Sequence, residues 1–292
     1  PPTPAATFGF LLDQVQAQVA SHRPRSDPEP IAATALTMAA LLDRWRRTGS
    51  LLPPSGKVLL VAPTGPRQRL SCSLYLPEGH DEAAGLMPVL LLAETPVIAG
   101  PVIDRIGRVY THGDVLEPRD PASATAFPVY VLPHLTPPAP TPGDAAPTAA
   151  SDSLLLASVT ACIDWARDHF DTRTYAVAGL DRQAVLALAG AARRPGGCRG
   201  ALALTGEGFA QWTREPSESW LQALQTPAAA TDRPTVTWLD FPADRTASPP
   251  AFDLSGRLRA AGWPAPAGQS IRGGLSLTQT ADRLVLWAEG LR

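Results

Sequence analysis

The residues of this sequence that could do chemistry lie in a turn at 174–183, Thr-Tyr-Ala-Val-Ala-Gly-Leu-Asp-Arg-Gln. A short apolar segment runs into Gly179, and an alanine-rich segment follows Gln183. A strand, a sharp turn and a helix in this order present a serine nucleophile in the motif G-x-S-x-G. Gly179 matches the first glycine, but Asp181 stands at the serine position and Gln183 at the second glycine. The sequence therefore predicts the turn of a nucleophile without its serine.

Asp181 has two interpretations. As a nucleophile, its carboxylate would form an ester intermediate, whose hydrolysis still needs a water activated by a histidine. As a structural residue, it would cap the following helix, where the helix dipole favours a negative charge. We favour capping, because a cap needs no partner side chain. Gln183 would then relax the turn or fill the space that a glycine leaves open.

Acidic side chains follow several of the predicted strands. They are expected at the carboxyl ends of the strands, where open α/β sheets bind ligands, and they are Glu94, Asp181, Glu207, Asp240 and Asp244. Such a group could hold a cation or raise the pKa of one of its carboxyls, but Arg182 and Arg272 would neutralise part of the charge. Since no metal-binding spacing is present, we expect no metal and no cofactor. The candidate binding residues are Glu94, Thr95, Arg182, Gln183 and Arg272.

Composition limits the class of protein. The chain has 292 residues with 45% hydrophobic side chains, enough for a sizeable core. Its net charge of −2 argues against a nucleic-acid partner, and no apolar run reaches the ~20 residues that a membrane span needs. Cys72 and Cys162 fall within apolar segments and are predicted to be buried free thiols. The first residue is Pro1, which fits either a removed leader, with a secreted or periplasmic location, or a trimmed sequence.

The elements that position these residues are predicted from periodicity and chain breakers. Helices are expected at residues 8–20, 31–47, 101–110, 151–170 (capped by Ser151 or Asp152), 182–194, 252–261 and 276–291, with short pieces within 209–225. Strands are expected at 57–62, 69–76, 87–93, 128–132, 174–178, 201–205, 234–239 and just before Gly273. The first two strands form a hairpin, and the later alternation indicates a mostly parallel sheet with helices on both faces. Residues 1–52 are predicted to be an N-terminal helical extension, and residues 53–292 the α/β domain.

Four segments resemble the α/β-hydrolase superfamily, in its esterase and prolyl-oligopeptidase-like branch, which includes feruloyl esterases and polyhydroxybutyrate depolymerases. Residues 73–80, Ser-Leu-Tyr-Leu-Pro-Glu-Gly-His, resemble the LYLPEGYD segment of those enzymes, and residues 171–183 resemble D-x-R-x-Y-V-x-G-x-S-x-G-G. Residues 87–93 occupy the strand that ends in His-Gly in the family. Residues 234–262 resemble the strand, acidic loop and helix that hold the triad acid, with Asp244 in that position. The resemblance implies an α/β-hydrolase-like fold with a mostly parallel eight-stranded sheet.

The residues that the resemblance would use for hydrolysis are changed. Asp181 replaces the serine, and no histidine follows His169, although the family places its base after the last strand, near Arg272. Glu94, Thr95 and Pro96 stand where the family begins its oxyanion loop with His-Gly, and proline has no N–H to donate. A carboxylate near that loop would also repel a developing oxyanion.

His134 is the remaining candidate base. The topology of the family places the strand before His134 about two strand spacings, ~10 Å, from Asp181, which is too far for contact unless the loop folds inward. The favoured hypothesis is a catalytically inactive pseudo-hydrolase with a structural role or a binding role for an unknown small molecule or protein partner. The alternative is an esterase- or peptidase-like hydrolase with Asp181 in the nucleophile position. A third interpretation is that the chain is part of a larger protein or complex that supplies the missing groups.

Overall fold

Within the part of the chain that the structure describes, eight strands form one sheet. The computed structural model describes residue 12 and residues 29–48, 56–65, 68–77, 85–93, 96–112, 127–135, 149–206, 217–225, 234–240, 254–264, 267–270 and 276–291. The strands are β1 (Gly56–Gly65), β2 (Gln68–Leu76), β3 (Leu86–Leu92), β4 (Phe127–Pro133), β5 (Tyr175–Leu180), β6 (Cys198–Thr205), β7 (Thr235–Asp240) and β8 (Ala267–Ser270). Their order across the sheet is β1-β2-β4-β3-β5-β6-β7-β8.

The sheet is mostly parallel, with an antiparallel strand pair at one edge. β1 and β2 form the predicted hairpin, and β2 also runs antiparallel to β4. From β4 to β8 every neighbouring pair is parallel. The carboxyl ends of these six strands therefore lie along one edge of the sheet, as a ligand-binding edge requires.

Helices cover both faces of this sheet. They are α1 (Glu29–Thr48), α2 (Pro96–His112), α3 (Ala149–His169), α4 (Gln183–Arg193), α5 (Glu218–Leu224), α6 (Leu254–Ala260) and α7 (Leu277–Glu289). Buried side chains of α3, α4, α5 and α6 join one hydrophobic cluster, and those of α2 and α7 join the other. The predicted fold class, a mostly parallel eight-stranded sheet between helical layers, is confirmed.

The strand β3 shows why its sequence is a continuous apolar run. Leu90 and Leu92 belong to the cluster under α3 and α4, whereas Val89 and Leu91 belong to the cluster under α2 and α7. All four side chains are at most 1% exposed. Because both faces of the strand are buried, the polar alternation of a surface strand is absent from it.

Polar contacts join the two helices on the second face. The Tyr110 hydroxyl of α2 donates to Glu289 Oε1 at the end of α7 across 2.6 Å, and it lies 2.9 Å from the Tyr130 hydroxyl of β4. Arg105 of α2 donates to Asp282 of α7 across 3.1 Å. The carboxylate of Glu289 is buried, so these contacts stabilise a polar group that water does not reach.

Two helix starts differ from the sequence prediction. α2 begins at Pro96 and contains Pro101, which the prediction took as its first residue. Proline is favoured in the first turn of a helix, and Pro96 meets that preference five residues earlier. α3 begins at Ala149, so neither Ser151 nor Asp152 caps it; alanine is the strongest helix former and extends the helix backwards.

Part of the N-terminal prediction is described by the structure. The helix expected at 31–47 is present as α1, with Met38 packed against the first hydrophobic cluster. Leu36, Leu42 and Trp45 of the same helix are exposed. The helix expected at 8–20 lies outside the described residues, apart from residue 12. Of the helices described, none has the length and apolarity to cross a membrane.

Candidate functional site

The turn between β5 and α4 has the geometry that its sequence predicts. β5 ends at Leu180 and α4 begins at Gln183, so two residues make the turn. Asp181 has a φ of +51°, in the left-handed region that few side chains adopt. Its N–H donates to the Leu204 carbonyl of β6 across 2.7 Å, and its carbonyl accepts from the Ala184 N–H across 3.0 Å. The neighbouring strand and the helix thus hold the backbone of Asp181 in place.

Gly179 is required by the packing of this turn. A Cβ atom at position 179 would lie 2.3 Å from the Gln183 carbonyl oxygen and 2.5 Å from the Ala184 Cα. Both are backbone atoms of the first turn of α4 and have no freedom to move aside. The first glycine of the motif is therefore present because the helix lies directly against the strand end.

The side chains of the turn are partly withdrawn from solvent. Asp181 and Arg182 are half-buried, and the Asp181 Oδ1 atom is itself buried. Arg182 is the N-cap residue of α4 and makes no side-chain cap hydrogen bond. The N-cap position is assigned to Arg182, one residue later than the sequence indicates. The left-handed backbone of Asp181 places that residue in the turn instead.

Gln183 fills the position of the second glycine. It is 3% exposed, and its Oε1 atom is buried without a hydrogen-bond partner among the described residues. The side chain thus occupies space beside the turn that the motif leaves empty.

His134 contacts a serine on the neighbouring strand. Its Nε2 atom lies 2.9 Å from Ser73 Oγ, within hydrogen-bond distance. Ser73 belongs to β2 and is 8% exposed, whereas His134 follows β4 and is half-buried. The sequence prediction did not include Ser73, because nothing local indicates that β2 and β4 are neighbours.

Strand register places this Ser–His pair relative to the turn. Leu90 of β3 pairs with Val131 of β4 on one side and with Val177 of β5 on the other. Counting along the strands from that row brings His134 one residue short of the level of Asp181, two strand spacings or ~10 Å away. Since β2 lies on the far side of β4, the hydrogen bond of His134 is made on the side away from Asp181.

His169 is the other described histidine with a defined side-chain environment. It stacks on Trp165, with ring centroids 5.0 Å apart, and meets the edge of Phe170 at 4.9 Å. Burial lowers the pKa of His169 to about 4, so the ring is neutral at pH 7. This stacking was not predicted from the sequence. The four-residue spacing from Trp165 was the available signal, because it places both rings on one helix face.

A polar cleft lies at the opposite edge of the sheet. It has a volume of about 680 Å³ and is lined by Asp164, Arg167, Asp168, Asp171, Thr172 and Arg173. Asp164 is already paired with Arg194 across 2.7 Å, and the Arg167 guanidinium lies 5.9 Å above the ring of Tyr175. The cleft adjoins the start of β5, whereas Asp181 follows the end of β5. It therefore does not belong to the turn.

The remaining candidate residues stay predictions. Glu94, Thr95, Glu207, Asp244 and Arg272 lie outside the described residues, and Asp240 is described only as the last backbone position of β7. Where the chain is described, no group of three His, Cys, Asp or Glu side chains could hold a metal ion. The structure thus brings together Asp181, Arg182 and Gln183, and it keeps His134 apart from them.

Comparison with solved structures identifies the class of this architecture. The fluorophosphonate-binding serine hydrolase F (FphF) of Staphylococcus aureus aligns with a TM-score of 0.53 at 14% sequence identity, over 80% of this chain and 98% of that protein. Est1E from Butyrivibrio proteoclasticus aligns with a TM-score of 0.50 at 12% identity, over 81% of this chain and 99% of that protein. No protein-family model and no curated protein matches the sequence. With its strand order and two helical layers, the chain has the α/β-hydrolase fold.

Proposed function

We propose that this protein is a pseudo-hydrolase, which keeps the α/β-hydrolase scaffold but has no serine-based hydrolytic activity. Its role would be binding of a small molecule or a protein partner at the carboxyl edge of the sheet. Asp181 is the observation that carries the proposal, because a carboxylate stands at the position where the scaffold holds a nucleophile, with a φ of +51°. A carboxylate here would also repel the oxyanion of an acyl-transfer reaction.

The two histidines whose side chains the structure describes lie away from Asp181, which supports the same conclusion. No histidine follows His169 in the sequence, although the family's base comes after the last strand. His134 contacts Ser73 on the side away from Asp181, and His169 stacks on Trp165 at the amino end of β5. A nucleophile and its base must lie within hydrogen-bond reach, and neither contact meets that requirement at Asp181.

The replacement of the second motif glycine by Gln183 also supports the pseudo-hydrolase. Its buried side chain occupies the position of a glycine whose absent Cβ leaves space at the turn in G-x-S-x-G. In this proposal the protein keeps the scaffold and a binding role at the carboxyl edge of the sheet, but not serine-based hydrolysis.

A hydrolase that uses Asp181 itself is the second candidate. The left-handed backbone of Asp181 favours it, because strained backbone is retained at many active sites. Such an enzyme would need a base from the residues outside the described part of the chain or from a partner. Activity that depends on the Asp181 carboxylate would separate it from the pseudo-hydrolase.

Covalent labelling with an alkyl fluorophosphonate tests the serine-based part of the proposal. In an active serine hydrolase, the serine oxygen bonds to phosphorus and fluoride leaves, which intact-protein mass spectrometry detects. We expect no adduct on any serine of this protein, while an active serine hydrolase of the same fold is labelled in parallel. An adduct on Ser73 that Ser73→Ala removes would overturn the proposal, because it would show that the Ser73–His134 pair is an activated nucleophile.

A further inference from the structure

Two of the three cysteines lie against each other in the core. Cys72 is on β2 and Cys162 is on α3, 90 positions apart in the chain, and their sulfur atoms are 3.9 Å apart. Both residues are 0% exposed and belong to the first hydrophobic cluster. Neither residue is in a disulfide in this structure. The sequence prediction of buried free thiols is confirmed for each residue, but their contact was not foreseen.

The distance between the two sulfur atoms is about twice that of a disulfide bond. A disulfide has an S–S bond of ~2.05 Å, so each sulfur would have to move by ~1 Å from its present position. Because Cys72 lies on β2 and Cys162 on α3, such a bond would join the hairpin edge of the sheet to the helical layer that covers it.

We propose that Cys72 and Cys162 form an intramolecular disulfide when the chain folds in the presence of a disulfide oxidant. One thiolate attacks a sulfur of the oxidant RS–SR, which forms a mixed disulfide and releases one RS⁻. The second thiolate then attacks the protein sulfur of that mixed disulfide and releases the other RS⁻. In total, two protein thiols lose two electrons and two protons, and the oxidant is reduced to two thiols.

Cys198 is the internal control for this assignment. Its Sγ atom donates to the Gly200 carbonyl across 3.5 Å, and burial raises the pKa of its thiol to about 12. Cys198 lies on β6, four strands from the β2 strand of Cys72 across the sheet, so its sulfur does not share the site of the pair. The two remaining cysteines are the pair already in contact.

Burial determines when the bond forms and how long it lasts. An oxidant does not reach thiols that are 0% exposed, so oxidation occurs while the chain is folding, before α3 closes over β2. Once formed, the bond is shielded from reductants by the same packing. It closes a long loop in the unfolded chain, which raises the melting temperature by ~5–10 °C in a protein of this size.

Peptide mapping of the full chain tests the proposal. The protein is reduced in denaturant, refolded with oxidised glutathione, denatured again without reductant and alkylated with iodoacetamide. We expect linked peptides containing Cys72 and Cys162, with the alkyl group on Cys198 alone. Alkylation of all three cysteines, or a bond that includes Cys198, would overturn the proposal.

Melting temperatures of the refolded protein provide a second readout. Samples refolded with and without oxidised glutathione should differ by ~5–10 °C in the wild type and in Cys198→Ala. The difference should disappear in Cys72→Ala. Equal melting temperatures for the two wild-type samples would contradict the proposal, and the peptide map decides it even if Cys72→Ala does not fold.

Discussion

At the scale of single residues, the turn at Asp181 contains some residues that the packing of the fold constrains and others that only catalysis would constrain. Gly179 and the left-handed backbone of Asp181 are imposed by the closeness of β5 and α4, and both are retained. The side chains at 181 and 183 carry no such constraint, and they are the ones that differ from the nucleophile motif. Aspartate adopts left-handed backbone more readily than most residues, so it keeps the turn intact.

Gly179→Ala tests whether the turn depends on the missing Cβ. We expect this variant to lose about 3 kcal/mol or more of folding stability, because the added methyl group meets backbone atoms that are unable to move. Gly196→Ala is the matched control, since nothing lies within 4 Å of a Cβ at that position. Urea unfolding of both variants measures the difference. Equal stabilities would contradict the close contact between β5 and α4.

Because the pKa of His169 is lowered in the folded protein, we expect the folded protein to lose stability in acid. Its pKa is about 4 in the folded protein and about 6.5 in the unfolded chain. The unfolded chain therefore binds the proton more readily between these values, and stability falls as the pH drops from 6.5 to 4. The contribution is about 3 kcal/mol.

Comparison with His169→Phe isolates this contribution, because phenylalanine keeps the stacking on Trp165 and does not titrate. We expect the wild type to lose about 3 kcal/mol more than the variant between pH 7 and pH 4, as measured by urea unfolding. Parallel pH profiles of the two proteins would show that His169 is not buried as described.

At the scale of elements, the sequence predicts what local pattern determines. The continuous apolar run at 87–93 predicts a strand buried on both faces, and β3 is such a strand. The hairpin of β1 and β2 follows from two adjacent segments with the pattern of strands. Helix starts were predicted less well, because α2 and α3 begin five and two residues before the predicted positions, at Pro96 and Ala149.

Local sequence patterns did not predict the contacts between distant segments. The Ser73–His134 bond joins residues 61 positions apart, and the Cys72–Cys162 contact joins residues 90 apart. Each depends on which strands are neighbours and on how α3 lies over them. The candidate site is predictable to the same degree: the turn is local and was predicted, whereas the position of His134 relative to it required the strand order.

Tyr110→Phe tests the polar contact between α2 and α7. The variant removes the hydroxyl that donates to Glu289 across 2.6 Å, and we expect it to cost about 1–3 kcal/mol because a buried carboxylate loses that donor. A double-mutant cycle with Glu289→Gln measures the coupling by urea unfolding. Strictly additive effects would contradict a direct contact between the two side chains.

At the scale of the whole molecule, the fold and the chemistry have separate origins. The strand order and the helical layers are those of the α/β-hydrolase fold, and they follow from apolar patterning over the whole chain. Catalysis in such a fold would depend on a few side chains at one edge of the sheet. One fold supports many functions, so the residues of the turn at Asp181 are stronger evidence about catalytic activity than the fold itself.

Hydrolysis of short and medium acyl p-nitrophenyl esters, compared between the wild type and Asp181→Ala, tests the central claim most directly. Asp181→Asn serves as a second variant, since asparagine tolerates the left-handed backbone and keeps the turn folded. The account predicts that all three proteins hydrolyse the esters no faster than the uncatalysed background. A wild-type rate above background that both substitutions abolish would contradict it and establish an aspartate-based enzyme.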